Sequence, residues 1–288
     1  MRNFLKFASL AVVAIAGFTF TSCSDDDEPN NGGGNSGSNI EEIFEEGLPA
    51  AVDGATFTTN EKGQLTKIVD GTTNVTFEYG TFTPPSRAHN FTVLMKERDS
   101  QNPNDGWDMY LELNKQGYVA YAYQYYLDVD VNDEYYEEGD EYDEWWFEYN
   151  NAGQLTRLKR SEGGDDFKIA YSNGDITKVN QTEEDGDTRT YTFVYTNTEY
   201  KNVIANKGCI MLFDDMFQID MDEMSVAYYA GLLGKAVKNL PVGYEEKSIE
   251  GGDEYTYSEV FHWTLNSNGL PTEFWDGDDR YDLVTFTW

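Results

Sequence analysis

Apolar and polar residues alternate along most of this chain with a period of two, and glycine-centred turns interrupt the alternation at intervals. The recurring unit is a strand, a turn and a second strand of Leu-Thr-Lys-Ile character. One copy is Asn60-Glu61-Lys62-Gly63-Gln64-Leu65-Thr66-Lys67-Ile68, and another is Asn150-Asn151-Ala152-Gly153-Gln154-Leu155-Thr156-Arg157-Leu158. A third tightens to Asn173-Gly174 followed by Ile176-Thr177-Lys178-Val179, and a fourth runs Asn266-Ser267-Asn268-Gly269-Leu270-Pro271-Thr272-Glu273-Phe274. Leu111 to Val119, with Asn114 and Gly117, is a degenerate fifth copy that leads into Tyr121, Tyr123 and Tyr125. Glycine or asparagine supplies the positive φ that such hairpin turns require.

Each copy is followed by an acidic turn, as at Asp70-Gly71, Gly163-Gly164-Asp165, Asp185-Gly186-Asp187 and Asp276-Gly277-Asp278, and then by a further strand. The pattern predicts a mainly β fold: a curved antiparallel meander of hairpins, forming an open barrel-like sheet. Such a sheet buries one face and wets the other, which accommodates strands rich in Thr, Glu and Lys. Residues 214–240 depart from it. Met224, Tyr228 and Leu232, with Ala227 and Leu233, follow helical spacing. This predicts one helical segment packed on the sheet, started by Asp222 or Ser225, favoured at its end by Lys235 and Lys238, and stopped by Pro241.

The N-terminus sets the compartment. Arg2 and Lys6 precede an uncharged apolar run from Phe7 to Phe20, the plan of a secretory signal and too short to span a bilayer. Thr21 and Ser22 lead to Cys23, which resembles the lipobox where a lipoprotein signal peptidase cuts beside an acylated cysteine, although Phe20 stands where Leu is usual. Ser24, Asp25, Asp26, Asp27 and Glu28 resemble the acidic export signal of Bacteroidetes-type surface lipoproteins. The expected organisation is a signal peptide over 1–22, an acidic then Gly/Asn/Ser-rich tether over 23–39, and a single β domain over 40–288. The expected location is the outer membrane, lipid-anchored at Cys23 and facing the exterior.

The chain carries 20 Lys and Arg against 53 Asp and Glu, and removing residues 1–22 takes two basic groups and no acid, so 18 remain and the net charge becomes −35. That balance supplies no basic footprint for phosphates and excludes nucleic acid as a partner. Anionic polysaccharide is disfavoured too, within a screening length of ~8 Å. Cys209 has no partner once Cys23 is lipidated, so a core rather than a disulfide must hold the domain together; its apolar neighbours Ile210, Met211, Leu212 and Phe213 mark it as core filler.

The phrase Gly231-Leu232-Leu233-Gly234-Lys235-Ala236-Val237-Lys238-Asn239-Leu240-Pro241, together with the Gly-x-Leu-Thr-Lys-Ile hairpins and the leader, resembles the Bacteroidetes family called domain of unknown function 4595, with a porin-like fold. The resemblance covers roughly residues 55 to 288. It implies a curved, barrel-like sheet associated with a helix, and neither an activity nor functional residues.

Catalytic motifs are missing from the sequence: no His-Glu-x-x-His, no phosphate-cradling Gly-rich loop, no nucleophile elbow. With only His89 and His262 in the chain, a histidine triad or a typical zinc site has few parts, and the reading is non-enzymatic with no obligatory cofactor. From Asp128 to Glu144 ten of 17 residues are acidic, and Asp128, Asp130 and Asn132 open like a calcium loop before the pattern fails at Asp133 and Gly139. Calcium is thus a possible ligand there; the competing reading is a charged hairpin tip. In a strand, Trp145 and Trp146 point to opposite faces, as do Tyr125 with Tyr126 and Tyr135 with Tyr136. One ring of each pair is expected to meet water, and aromatic faces beside carboxylates suit a neutral glycan. The opposing reading makes these rings filler in a closing sheet. Three classes follow: a non-catalytic binding module for a neutral glycan or other extracellular ligand, an envelope structural or adhesion protein joined through sheet edges, and a carrier with a dry cavity lined by Met216, Phe217, Met221 and Met224.

Overall fold

The computed structural model describes residues 40–84, 88–102, 106–127, 142–277, 280 and 282–288. The leader, Cys23, the tether, the calcium-loop residues Asp128, Asp130 and Asn132, and the pair Tyr135 and Tyr136 lie outside them. Among the described residues, sixteen antiparallel strands form a closed barrel in which neighbours in sequence are neighbours in the wall. The sheet is closed rather than open. Ala51–Val52 pairs with Val284–Thr287, with Ala51 opposite Thr287, so the two ends of the meander become partners. Closure removes the two free edges that an open meander would present, and a separate two-stranded ribbon pairs Ile204–Ala205 with Asn239–Leu240.

The repeats show why these sequences turn where they do. In each of four copies an asparagine caps the turn with its side chain: Asn60 Oδ1 accepts from Lys62 N and Gln64 N, Asn150 Oδ1 from Ala152 N and Gln154 N, and Asn266 Oδ1 from Asn268 N and Leu270 N. Asn114, in the degenerate copy, does the same for Gln116 N and Tyr118 N at 2.8 and 3.1 Å. The glycine three residues on is left-handed in every case, as at Gly153 with φ 83°. The threonine of Leu-Thr-Lys-Ile then donates its hydroxyl across the strand pair, Thr66 to Thr58 O and Thr156 to Glu148 O, each at 3.0 Å.

One step of the wall skips part of the chain. Thr188–Val194 pairs directly with Gly243–Glu250, Phe193 opposite Tyr244, and residues 195–242 between them leave the barrel wall, the stretch from Ile204 to Val242 supplying core residues to the lumen. Met216, Phe217, Met221, Met224, Ala227 and Leu232 of this plug are fully buried against wall residues such as Leu65, Met109, Trp145 and Phe261. The plug is held at its mouth by backbone bonds to the repeat turns: Lys235 N donates to Gly153 O at 2.8 Å and Lys238 N to Gly174 O at 3.1 Å. A barrel of this strand number would otherwise enclose water.

The plug corrects the expected helix. It contains a five-residue α-helix, Phe213–Phe217, and a 3-10 run, Asp222–Tyr228. Gln218, Asp222, Gly231 and Gly234 all take positive φ and break any longer helix. The helical spacing of Met224, Tyr228 and Leu232 had suggested one apolar stripe, but inside a barrel most of the segment is enclosed and amphipathicity loses its meaning.

The outer wall mixes polar and ion-paired positions with scattered exposed apolar ones such as Ile249, Tyr255 and Tyr257. Outward positions carry Thr188, Thr190 and Thr192 on one strand and ion pairs on others, such as Lys96 with Glu78 at 2.8 Å and Arg157 with Asp166 at 2.8 Å. A lipid-spanning barrel needs an apolar outer band instead. Among the described residues no helix is long and apolar enough to cross a membrane.

Candidate functional site

The outer wall changes character on four adjacent strands, Phe91–Asp99, Gly106–Leu113, Val119–Tyr126 and Tyr142–Tyr149. Their register decides which side chains meet. Leu94 lies opposite Tyr110 and Tyr110 opposite Tyr123, while Val93, Leu111, Met95 and Met109 alternate into the core. One row along, Glu112 pairs with Tyr121 and Tyr121 with Trp146; on the other side Asp108 pairs with Tyr125 and Tyr125 with Tyr142. Outward positions here therefore hold an aromatic cluster separate from the main core.

Trp146 stands 5.9 Å from the Tyr121 ring, Tyr121 stacks at 5.8 Å on Phe91, and Phe91 lies 5.8 Å from Tyr110. Tyr123 stacks on Tyr142 at 5.6 Å. Phe91, Tyr110 and Tyr123 are buried, whereas Trp146 is 41% and Tyr142 37% exposed. The inner rings hold the outer two in place. Polar groups rim the patch: the Tyr121 hydroxyl donates to Glu144, His89 Nε2 lies 2.9 Å from Glu112, and Lys159 sits across the strand from Trp146. Together these groups offer flat apolar faces and hydrogen-bonding groups of both kinds.

The paired aromatics split as their alternation requires. Tyr125 and Trp146 face outward. Trp145 and Tyr126 face the lumen and pack on the core, so neither belongs to the outer platform. Trp145 is fully buried, stacked on Phe147, with the Arg160 guanidinium 4.5 Å over its ring. Arg160 is the centre of a buried polar knot: its Nε donates to Asp143 at 2.6 Å, and further nitrogens reach Glu162 and the plug residue Asp222. Burial alone would lower the Arg160 pKa, but Asp143, Asp222 and Glu162 outweigh it and hold the guanidinium charged. The knot ties plug to wall and fixes Trp145.

Tyr110, Tyr142 and the contribution of Phe91 were not singled out from the sequence, although Tyr121 and Tyr123 stood in the period-two run that points to this face. The four carrier residues, Met216, Phe217, Met221 and Met224, are fully buried in the core. His262 stacks on Trp275 at 5.0 Å and its Nδ1 lies 3.3 Å from Glu199. Cys209 is half-buried against the core with its thiol pKa raised by burial. Among the described residues no group of three or more His, Cys, Asp or Glu is arranged to hold a metal ion.

The family described as domain of unknown function (DUF4595) with porin-like fold matches residues 98–273. The chain belongs to this family. The match covers three of the four aromatic strands, the plug and the repeat turns from Asn114 to Asn266. Two crystal structures are similar in fold. A porin-like protein from Bacteroides uniformis ATCC 8492 is 19% identical, with a TM-score of 0.51 over 81% of this chain and 88% of that one. A porin-like protein from Bacteroides vulgatus ATCC 8482 is 14% identical, with a TM-score of 0.52 over 84% of this chain and 98% of that one. At these identities the likeness is one of fold. No curated protein matches the chain.

Proposed function

We propose that this protein is a non-catalytic binding module, tethered outside the cell through lipid on Cys23, that takes a neutral glycan on the outer aromatic face around Trp146. The observation that carries the reading is the exposed ring of Trp146 held beside Tyr121 on a row of outward aromatic side chains that continues into buried Phe91 and Tyr110. Aromatic surface clustered outside the main core supports reading this face as an interaction site. Sugar C–H faces pack on such rings, while Glu144, Glu112 and Lys159 accept from or donate to ring hydroxyls. The filled lumen argues against a channel, and the charged and threonine-rich positions of the outer wall suit a barrel bathed in water. Closure of the sheet weighs against the adhesion reading, because that reading needs a free strand edge. Calcium, if the segment with Asp128, Asp130 and Asn132 takes it, would be accessory to this site.

The test is a thermal melt of the protein against a panel of neutral polysaccharides, with and without calcium. A ligand at a hundred times its dissociation constant stabilises by about 2.7 kcal/mol, a rise of roughly 5 to 10 °C for a domain of this size. The expected result is a shift with at least one neutral glycan that disappears in Trp146→Ala. A shift that survives Trp146→Ala with Tyr121→Ala, or no shift with any glycan, overturns the proposal.

A further inference from the structure

We propose that the cleft between the plug and the barrel's closing strands binds a small amphiphile with a primary ammonium head and an apolar body. The cleft lies on a different part of the barrel from the aromatic face. It is a small cleft with an open mouth, lined by both wall and plug. Its sides are apolar: Ala55, Phe57 and Ile68 from the wall oppose Phe213, Val226 and Tyr229 from the plug.

Three carboxylates, Asp53, Asp70 and Asp214, also line it, and among the described residues no Lys or Arg does. Two of the three are already engaged. Asp53 Oδ1 accepts from Thr285 N at 3.0 Å, and Asp214 Oδ1 accepts from Met221 N at 2.8 Å. Asp70 differs. It follows Ile68 by two residues and so turns to the same inner side, it is only 4% exposed, and its Oδ2 has no hydrogen-bond partner among the described residues. A buried carboxylate without a donor is costly, and proteins relieve the cost by neutralising or pairing it. Burial, aided by the charge of Asp53, accordingly lifts the Asp70 pKa to about 7.

The chemistry that fits is specific. An alkylammonium brings a positive charge and three N–H donors to Asp70 and lays its chain along Phe57, Ile68 and Val226. A hydroxyl brings one donor and no charge. A carboxylate is repelled by all three acids. The apolar sides exclude a fully polar cation, since nothing there replaces its water.

Calorimetric titration of the full chain at pH 8 with n-octylamine, 1-octanol and octanoate tests the assignment. Octylamine is expected to bind saturably at one site, at least tenfold more tightly than octanol, with octanoate weaker still. Asp70→Asn should remove the preference of octylamine over octanol without unfolding the barrel, because asparagine keeps the shape and removes the unpaired charge. Val226→Phe, which fills the cleft, should abolish binding of both. Equal affinity for octylamine and octanol, unsaturable uptake, or octylamine binding unchanged in either variant overturns the proposal.

Discussion

Trp145 and Trp146 are adjacent in sequence and opposite in fate, so replacing each by alanine separates the stability of the barrel from its surface chemistry. Trp145 is fully buried, stacked on Phe147 and covered by Arg160 at 4.5 Å. Trp-to-Ala changes at such sites remove the transfer energy of the ring and leave a cavity, together about 3–5 kcal/mol. At roughly 2–4 °C per kcal/mol for a domain of this size, the midpoint of Trp145→Ala falls on the order of 10 °C. Trp146 is 41% exposed and loses chiefly its packing on Tyr121, an aromatic pair worth about 0.5–1.5 kcal/mol. Trp146→Ala should therefore cost about 1 kcal/mol. Urea denaturation with matched slopes and thermal melts by circular dichroism measure both. Equal losses, or a larger loss for Trp146→Ala, would refute the register of Tyr142–Tyr149 and with it the outer platform.

Asp143→Asn leaves the Arg160 guanidinium buried without its main partner, and should cost about 3–5 kcal/mol in urea denaturation; Asp143→Asn with Arg160→Met should recover part of it. Asn150→Ala removes two turn hydrogen bonds, to Ala152 N and Gln154 N, and should cost about 1–2 kcal/mol, with no effect on glycan binding. The Asp70 pKa is raised from 3.8 to about 7 in the folded state. The folded protein therefore binds the proton more tightly than the unfolded chain, so this stability is full below pH 4 and is lost as pH rises through about 7. The loss is at most about 4 kcal/mol. Asp53 faces the same cleft and adds to the Asp70 shift, while Asp214, itself raised by burial, titrates separately; Asp70→Asn should flatten the stability–pH curve between pH 4 and 8, and an unchanged curve refutes the assignment.

Much of this protein is written in local terms. The Asn-x-x-Gly turns are legible because the cap and the positive φ are supplied within five residues, and the degenerate copy at Asn114 proved to use the same bonds as Asn60 and Asn150. Alternation likewise placed Trp145 and Trp146 on opposite faces, since pleat geometry leaves a strand no other choice. What alternation cannot say is which face is inside. That was settled by closure, where Ala51 meets Thr287, and by residues 204–242 entering the lumen. The plug's helical spacing misled for the same reason: its surroundings are supplied by strands distant in sequence, and burial on many sides removes the polar face that a periodicity argument needs. The aromatic cluster and the unpaired carboxyl of Asp70 exist only once four strands are in register or the plug is seated. Contacts within a hairpin are set by neighbouring residues; contacts across a barrel are set by the path of the whole chain.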